Sequence, residues 1–191
     1  MAVTADRAEP AGDTVRRAQT GDVAAFDQLV RTRLDRSFRF ACAVLGNEAD
    51  AADAVQDAYV TAWRELPRLR DPDRFDGWLG RIVLNSCRQT MRRRGRVREL
   101  SLDGLEPTDT GIHPPGQRSD PVLVAERDAL ARAIGRLTLD QRAILALHHL
   151  EERSVGEIAA RLGIPSGTVK WRLHAARRAL ERALAIEDGS K

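Results

Sequence analysis

The order of apolar and polar positions divides the chain into helical stretches separated by short breaks. In AFDQLVRTRLDRSFRFACAVLG, the residues Phe26, Leu29, Val30, Leu34, Phe38, Ala41, Val44 and Leu45 fall on one broad face at helical spacing. That pattern predicts one continuous helix, which Gly46 ends as a C-cap. Asn47, with Asp50 three residues on, opens the next helix. Val55, Ala58, Tyr59, Ala62 and Leu66 form its apolar stripe, and Pro67 ends it. The stretch PRLRDPDRFDG is a connector. A further helix is expected from about Asp76 to the arginines at 92–94, with Leu79, Val83, Cys87 and Met91 recurring every fourth residue. Residues 99–121 lose all periodicity. They hold four prolines and three glycines and net −4, which reads as an acidic flexible linker. From Val122 the helical pattern returns and runs almost to the end. The expectation is an all-α fold with a disordered tail at 1–14, an N-terminal helical bundle at 15–98, the linker at 99–121 and a C-terminal helix-turn-helix domain at 122–187. No strand and no internal repeat is visible.

The most informative stretch is SVGEIAARLGIPSGTVKWRLHAARRAL. Ser154 and Glu157 form an S-x-x-E capping box that opens a helix. Gly163 ends it, Ile164 fills the turn, and Ser166 is expected to cap the next helix. Ala159, Gly163 and Val169 have helix-turn-helix spacing: a small residue for close helix crossing, a glycine for positive φ, and an apolar anchor. In the second helix Val169, Leu173, Ala176 and Leu180 share a narrow stripe at about 100° per residue. Gly167, Lys170, Trp171, His174, Ala175 and Arg178 lie opposite. A helix with basic and flat side chains outward is what a DNA major groove admits.

The helix after Asp76 has two faces as well. Arg81, Asn85, Arg88 and Arg92 oppose the apolar stripe, and six arginines with no acid follow between Arg88 and Arg98. Asparagine among arginines suits base edges flanked by phosphates. The helix before it is acidic: Glu48, Asp50, Asp53 and Asp57 occur with no base among them. Such a surface suits a basic protein partner rather than nucleic acid.

Composition narrows the classes. The chain has 191 residues, 42% of them hydrophobic and 31% charged, with a formal net charge of +3. Lys170 and Lys191 are the only lysines, so nearly all positive charge is guanidinium, which grips phosphate as a fork. No apolar run spans a membrane, and the first 25 residues lack the apolar core of a signal peptide. A cytoplasmic location with no membrane insertion is expected. Cys42 and Cys87 have neither disulfide nor zinc spacing and are read as buried thiols. His148 and His149 are adjacent and should point apart, a poor metal pair. No catalytic constellation, metal site or cofactor motif is apparent, so no enzyme activity is expected.

These motifs together resemble the sigma-70 family, and within it the compact extracytoplasmic-function group. ADAADAVQDAYVTAWREL and FDGWLGRIVLNSCRQTMRRR are similar to its first conserved domain, region 2. LTLDQRAILALHHLEERSVGEIAARLGIPSGTVKWRLHAARRAL is similar to region 4. The likeness spans roughly 22–98 and 122–185, with only the linker where longer members carry another domain. The resemblance implies a protein that binds core RNA polymerase and directs it to promoter DNA. It implies that Asp53, Gln56 and Asp57 dock on the polymerase. It implies that Asn85, Arg88, Arg92 and Arg93 bind the minus-ten element, with Arg74, Phe75 and Asp76 helping to hold an unstacked base. Ser166, Gly167, Thr168, Lys170, Trp171, Arg172, His174, Arg177 and Arg178 are implied in minus-thirty-five binding. The linker is implied to thread toward the polymerase channels. Many relatives also have an anti-sigma partner. Trp171 stands where the family commonly has serine, and Ala175 where it commonly has arginine, which alters the upstream reading face. The alternative is a helix-turn-helix regulator that is not a polymerase subunit; it leaves the acidic helix and the Asn/Arg helix unexplained.

Overall fold

The computed structural model describes residues 11–100 and 121–189. The expected tail up to residue 10, and residues 101–120 of the expected linker, lie outside the described residues. Among the described residues there are nine α-helices and no strand. They are α1 (Ala11–Gln19), α2 (Val23–Arg31), α3 (Leu34–Leu45), α4 (Glu48–Glu65), α5 (Phe75–Leu100), α6 (Pro121–Gly135), α7 (Leu139–Leu145), α8 (Val155–Leu162) and α9 (Ser166–Gly189). Two single-turn 3₁₀ segments, Leu66–Arg68 and Pro72–Arg74, form the connector before α5. A π turn, Ala146–Leu150, extends α7.

Local chemistry sets most boundaries as expected. Gly46 adopts φ 71° and closes α3. The Asn47 side chain accepts from the Asp50 N–H and opens α4. Ser154 and Glu157 form a complete capping box, and Gly163, at φ 67°, ends α8. A second capping box, Thr138 with Gln141, opens α7. It lies in TLDQ, an S/T-x-x-Q capping pattern.

Three boundaries and the orientation of one residue pair differ from the expectations. The single helix expected over residues 25–45 is two. Thr32 turns its hydroxyl onto the carbonyls of Gln28 and Leu29, and Arg33 leaves helical geometry at φ −126°. The Arg33 guanidinium is then anchored on Asp76 at 2.6 Å and over the Phe75 ring. The tail expected through residue 14 already turns helical at Ala11, because Thr14, Val15 and Ala18 are buried. Gln19 ties that helix down by donating to the carbonyls of Leu66 and Leu69. Ser166 is the first turn of α9 rather than its cap, since the Val169 N–H bonds to the Pro165 carbonyl. His148 and His149 do not point apart: the π turn stacks their rings edge to face, 4.7 Å between centroids.

The core is built by the stripes that periodicity defined. Val44, Ala58, Ala62, Leu79, Val83 and Cys87 are buried between α3, α4 and α5. Ile158, Val169, Leu173 and Ala176 are buried where α8 crosses α9. One buried cluster runs from Val15 to Ala176 and so joins the two ends of the chain. Burying each of the Val, Leu and Ile side chains among them contributes about 1.5–3 kcal/mol before chain entropy is set against it. A second cluster, Ala133, Leu137 and Ala183, packs α6 against α9. Glu187 reinforces it, with Arg132 and Arg136 both at 2.7 Å on its carboxylate.

Candidate functional site

Three exposed surfaces follow from this packing. The first is the outer face of α9. With Val169, Leu173 and Ala176 turned inward, Ser166, Gly167, Lys170, Trp171, His174, Arg177 and Arg178 stand exposed, while Thr168 and Arg172 are half-buried. Trp171 is 69% exposed. An indole this exposed on a basic helix leaves most of its surface open to a ligand. Ala159 and Gly163 allow α8 and α9 to approach, and the Ile164 N–H returns to the Ala159 carbonyl to tighten the turn. The Glu157 carboxylate accepts from the Ser154 N–H and from Arg153, and its pKa is lowered to about 2. The cap of α8 is therefore charged throughout the physiological range. His149 has its pKa lowered by partial desolvation, with His148 and Arg177 adding to the effect.

The second surface is the outer face of α5. Asn85, Arg92 and Arg93 are exposed, and Arg88 is half-buried. Arg88 donates to Asn85 Oδ1 at 3.1 Å and, through Nε and Nη2, to Asp140 of α7 at 3.2 and 2.9 Å. Arg74 and Asp76 lie at the start of the helix and are exposed, Arg74 paired with Asp71 and Asp76 with Arg33. Phe75 is placed differently. Its ring is 3% exposed, packed beside Trp78 and under the Arg33 guanidinium. It anchors the start of α5, and the two residues beside it carry the accessible polar groups.

The third surface is α4. Asp53, Gln56 and Asp57 are exposed. The sequence shows no base among Glu48, Asp50, Asp53 and Asp57, but the fold brings two from α5: Arg93 reaches Asp57 at 3.3 Å and Arg94 reaches Asp50 at 2.5 Å. The acidic and basic faces are thus neighbours along one edge.

Sequence reasoning missed the residues that join the surfaces: Arg36, Asp140, Arg142, Glu151 and Arg161. Arg142 donates to the carbonyls of Gly135, Leu137 and Val44, gathering the ends of α3 and α6. Its pKa is lowered by burial. Carbonyls at helix C-termini carry partial negative charge, which suits a guanidinium. The Cys42 and Cys87 thiols are buried and free, with Cys87 raised to about 12 by desolvation. Among the described residues no group of three or more His, Cys, Asp or Glu is placed to hold a metal, and no helix is long and apolar enough to cross a membrane.

This arrangement matches known proteins on both sides of the linker. The pattern for sigma-70 region 2 covers residues 29–97, and that for sigma-70 region 4 covers 127–180. The chain is 37% identical over 184 residues to the ECF RNA polymerase sigma factor SigE of Mycolicibacterium smegmatis, spanning 93% of this chain and 69% of that protein. The chain belongs to the sigma-70 family. Its relatives place this sigma factor in the extracytoplasmic-function group, which has no enzymatic activity of its own. The RNA polymerase sigma-E factor of Streptomyces coelicolor is 31% identical over 170 residues, covering 88% of this chain and 90% of that one. Among solved structures, the sigma factor RpoE of Bartonella quintana in complex with the anti-sigma factor NepR is similar at a TM-score of 0.66. It shares 30% identity over 86% of this chain and 99% of that chain. CnrH in complex with the cytosolic domain of CnrY is similar at 0.64 with 28% identity, covering 92% and 97%.

Proposed function

We propose that this sigma factor binds core RNA polymerase through α4 and reads promoter DNA with α5 and α9. Asp53, Gln56 and Asp57 form the polymerase-docking face. Asn85 reads a base edge of the minus-ten element, while Arg88, Arg92 and Arg93 hold phosphates around it. Arg74 and Asp76 support an unstacked base, with Phe75 fixing their position from beneath. The α9 face from Ser166 to Arg178 enters the major groove at the minus-thirty-five element. There Lys170, Arg172, Arg177 and Arg178 supply positive charge, and Thr168, Trp171 and His174 supply shape and hydrogen bonding. The protein works in the cytoplasm, where polymerase and DNA are. By analogy with the two solved complexes, an anti-sigma protein is a further partner.

The observation that carries this reading is the segregation of charge, with outward basic faces on α5 and α9 and a distinct acidic face on α4. Trp171, exposed on α9, and Asn85, exposed on α5, each sit among arginines, while Asp53 and Asp57 occupy another helix. Run-off transcription with purified core polymerase on genomic DNA tests it. Initiation at defined start sites that depends on the added protein is the expected result. Duplex binding by the protein alone, with no effect on polymerase, supports a regulator instead.

A further inference from the structure

The chain's three tryptophans are placed in two ways. Trp63 and Trp78 each lie beside a phenylalanine ring, Phe26 at 4.8 Å and Phe75 at 5.8 Å between centroids. Among the described residues no ring stands beside Trp171, and no guanidinium lies over its face. At 100° per residue Trp171 sits about 160° round the helix from both Val169 and Leu173, which are buried. It therefore marks the centre of the outward face of α9. One turn away on either side stand Gly167 and Ala175, which are small and uncharged. A Cβ added to Gly167 would meet no atom within 4 Å, so the space over that turn is open. The charged groups flank the indole. Lys170 and Arg177 lie about 100° and 120° round one side, and Arg172 about 100° round the other. No acidic residue occurs from Ser166 to Leu180.

We propose that Trp171 reads a thymine of the minus-thirty-five element, its indole packing on the C5-methyl group in the major groove. This contact rests on α9 being the major-groove helix. A helix seated in that groove turns the centre of its outer face to the base edges and its flanks to the phosphates of the two walls. Residues near the start of such a helix reach the bases, and Trp171 falls within the first two turns of α9. The flanks of α9 are basic, and its centre is apolar. An indole accepts no hydrogen bond and offers a single donor, Nε1–H. What it brings to the groove floor is mainly apolar area. The thymine methyl is the apolar group that base pairs present there, whereas guanine presents acceptors that suit arginine and lysine. The flanking charges favour DNA over a protein as the occupant. Three cations and no acid complement two rows of phosphates, and an apolar protein groove would need no such flanks.

Deoxyuridine in place of thymine tests the contact, because it removes the methyl and keeps every hydrogen-bonding group. The probe is a labelled duplex promoter fragment from those that run-off transcription defines, with the thymines of its minus-thirty-five element replaced one at a time. Holoenzymes carrying the wild-type chain, Trp171→Ala, Trp171→Phe or Arg177→Ala are compared by fluorescence anisotropy. The expected result is one thymine whose replacement weakens wild-type binding about fourfold, the worth of one buried methyl group. The same replacement should be silent with Trp171→Ala, keep part of its effect with Trp171→Phe and keep all of it with Arg177→Ala, so that the two losses couple only at Trp171. Silence of every replacement in the wild type, or an element without an A·T pair, overturns the contact. An equal deoxyuridine effect in the wild type and Trp171→Ala gives the methyl to another side chain and also overturns it. Weaker binding by Trp171→Ala with no dependence on any thymine methyl puts the indole on the DNA backbone or on a protein, and overturns it as well. In each of these failures, weaker promoter binding by Arg177→Ala keeps α9 as the groove helix. If Arg177→Ala and Trp171→Ala both bind as the wild type does, that reading falls together with the contact.

Discussion

Trp171 is the residue whose placement says most about what the chain does. Its burial partners on α9 are all elsewhere: Val169 and Leu173 face α8, and the indole stands 69% exposed. Replacing it with alanine therefore removes a contact to a ligand and nothing from the core. Promoter-specific run-off transcription should fall about tenfold, in the range of one good side-chain contact to a base. The melting temperature and co-purification with core polymerase should stay as they are. Loss of the fold would place the indole in the core after all. Glu157 makes a different prediction, about pH. Its pKa is lowered to about 2 by the Ser154 N–H first and the Arg153 guanidinium next. A depressed carboxylate contributes stability above the ordinary glutamate range and loses it as pH falls through the folded value. The cap of α8 should therefore persist at pH 4 and fail only toward pH 2, followed by the Glu157 carboxyl resonance in an NMR titration. Two left-handed residues make a matched pair. Gly163, at φ 67°, has no atom within 4 Å of a Cβ added to it, so Gly163→Ala carries only the conformational cost, about 1–2 kcal/mol. Glu152, at φ 51°, already bears that cost, so Glu152→Gly should recover about 1 kcal/mol. Urea denaturation of both variants measures the opposed signs.

At the scale of elements, α4 and α5 are partners in charge as well as in packing. Asp57 with Arg93, and Asp50 with Arg94, join the docking face to the basic face. Changing Asp53 and Asp57 to lysine should abolish co-purification with core polymerase, because the face would repel a basic partner and α5 would lose its pair. Retained co-purification, in a variant whose helix content is intact, would remove α4 from the docking role. Most of these elements were legible in the sequence because their causes are local. The capping box of α8, the glycine ends of α3 and α8, and the four-residue spacing of Leu79, Val83 and Cys87 depend on neighbours within a few positions. The break between α2 and α3 was not legible. It turns on Thr32 hydrogen bonding and on Arg33 reaching Asp76, 43 positions away. The start of α1 was missed for the same reason, since Gln19 is held by carbonyls 47 and 50 positions on.

Over the whole molecule, a net charge of +3 conceals a segregated field. The pattern of faces was readable from the sequence, since it needs only helical spacing. Which acid answers which arginine was not, because Arg36 and Glu151 lie 115 positions apart and no local rule pairs them. That distinction has a measurable consequence for DNA binding. Arg92 is exposed and has no ion pair among the described residues, whereas Arg93 is held by Asp57. A free arginine that neutralises a phosphate releases a counterion, which sets the slope of log affinity against log salt at about −0.7 to −0.9 per contact. An arginine that must first leave a carboxylate releases less, because its charge was already partly neutralised. Arg92→Ala should therefore flatten the salt slope of holoenzyme–promoter binding by nearly one full contact. Arg93→Ala should flatten it by clearly less, and Arg93→Ala in an Asp57→Asn background by as much as Arg92→Ala does. Fluorescence anisotropy of a labelled promoter across a sodium chloride series reads all three slopes. Equal effects of Arg92→Ala and Arg93→Ala in the otherwise wild-type chain would mean that the Asp57 pair does not persist once polymerase occupies α4.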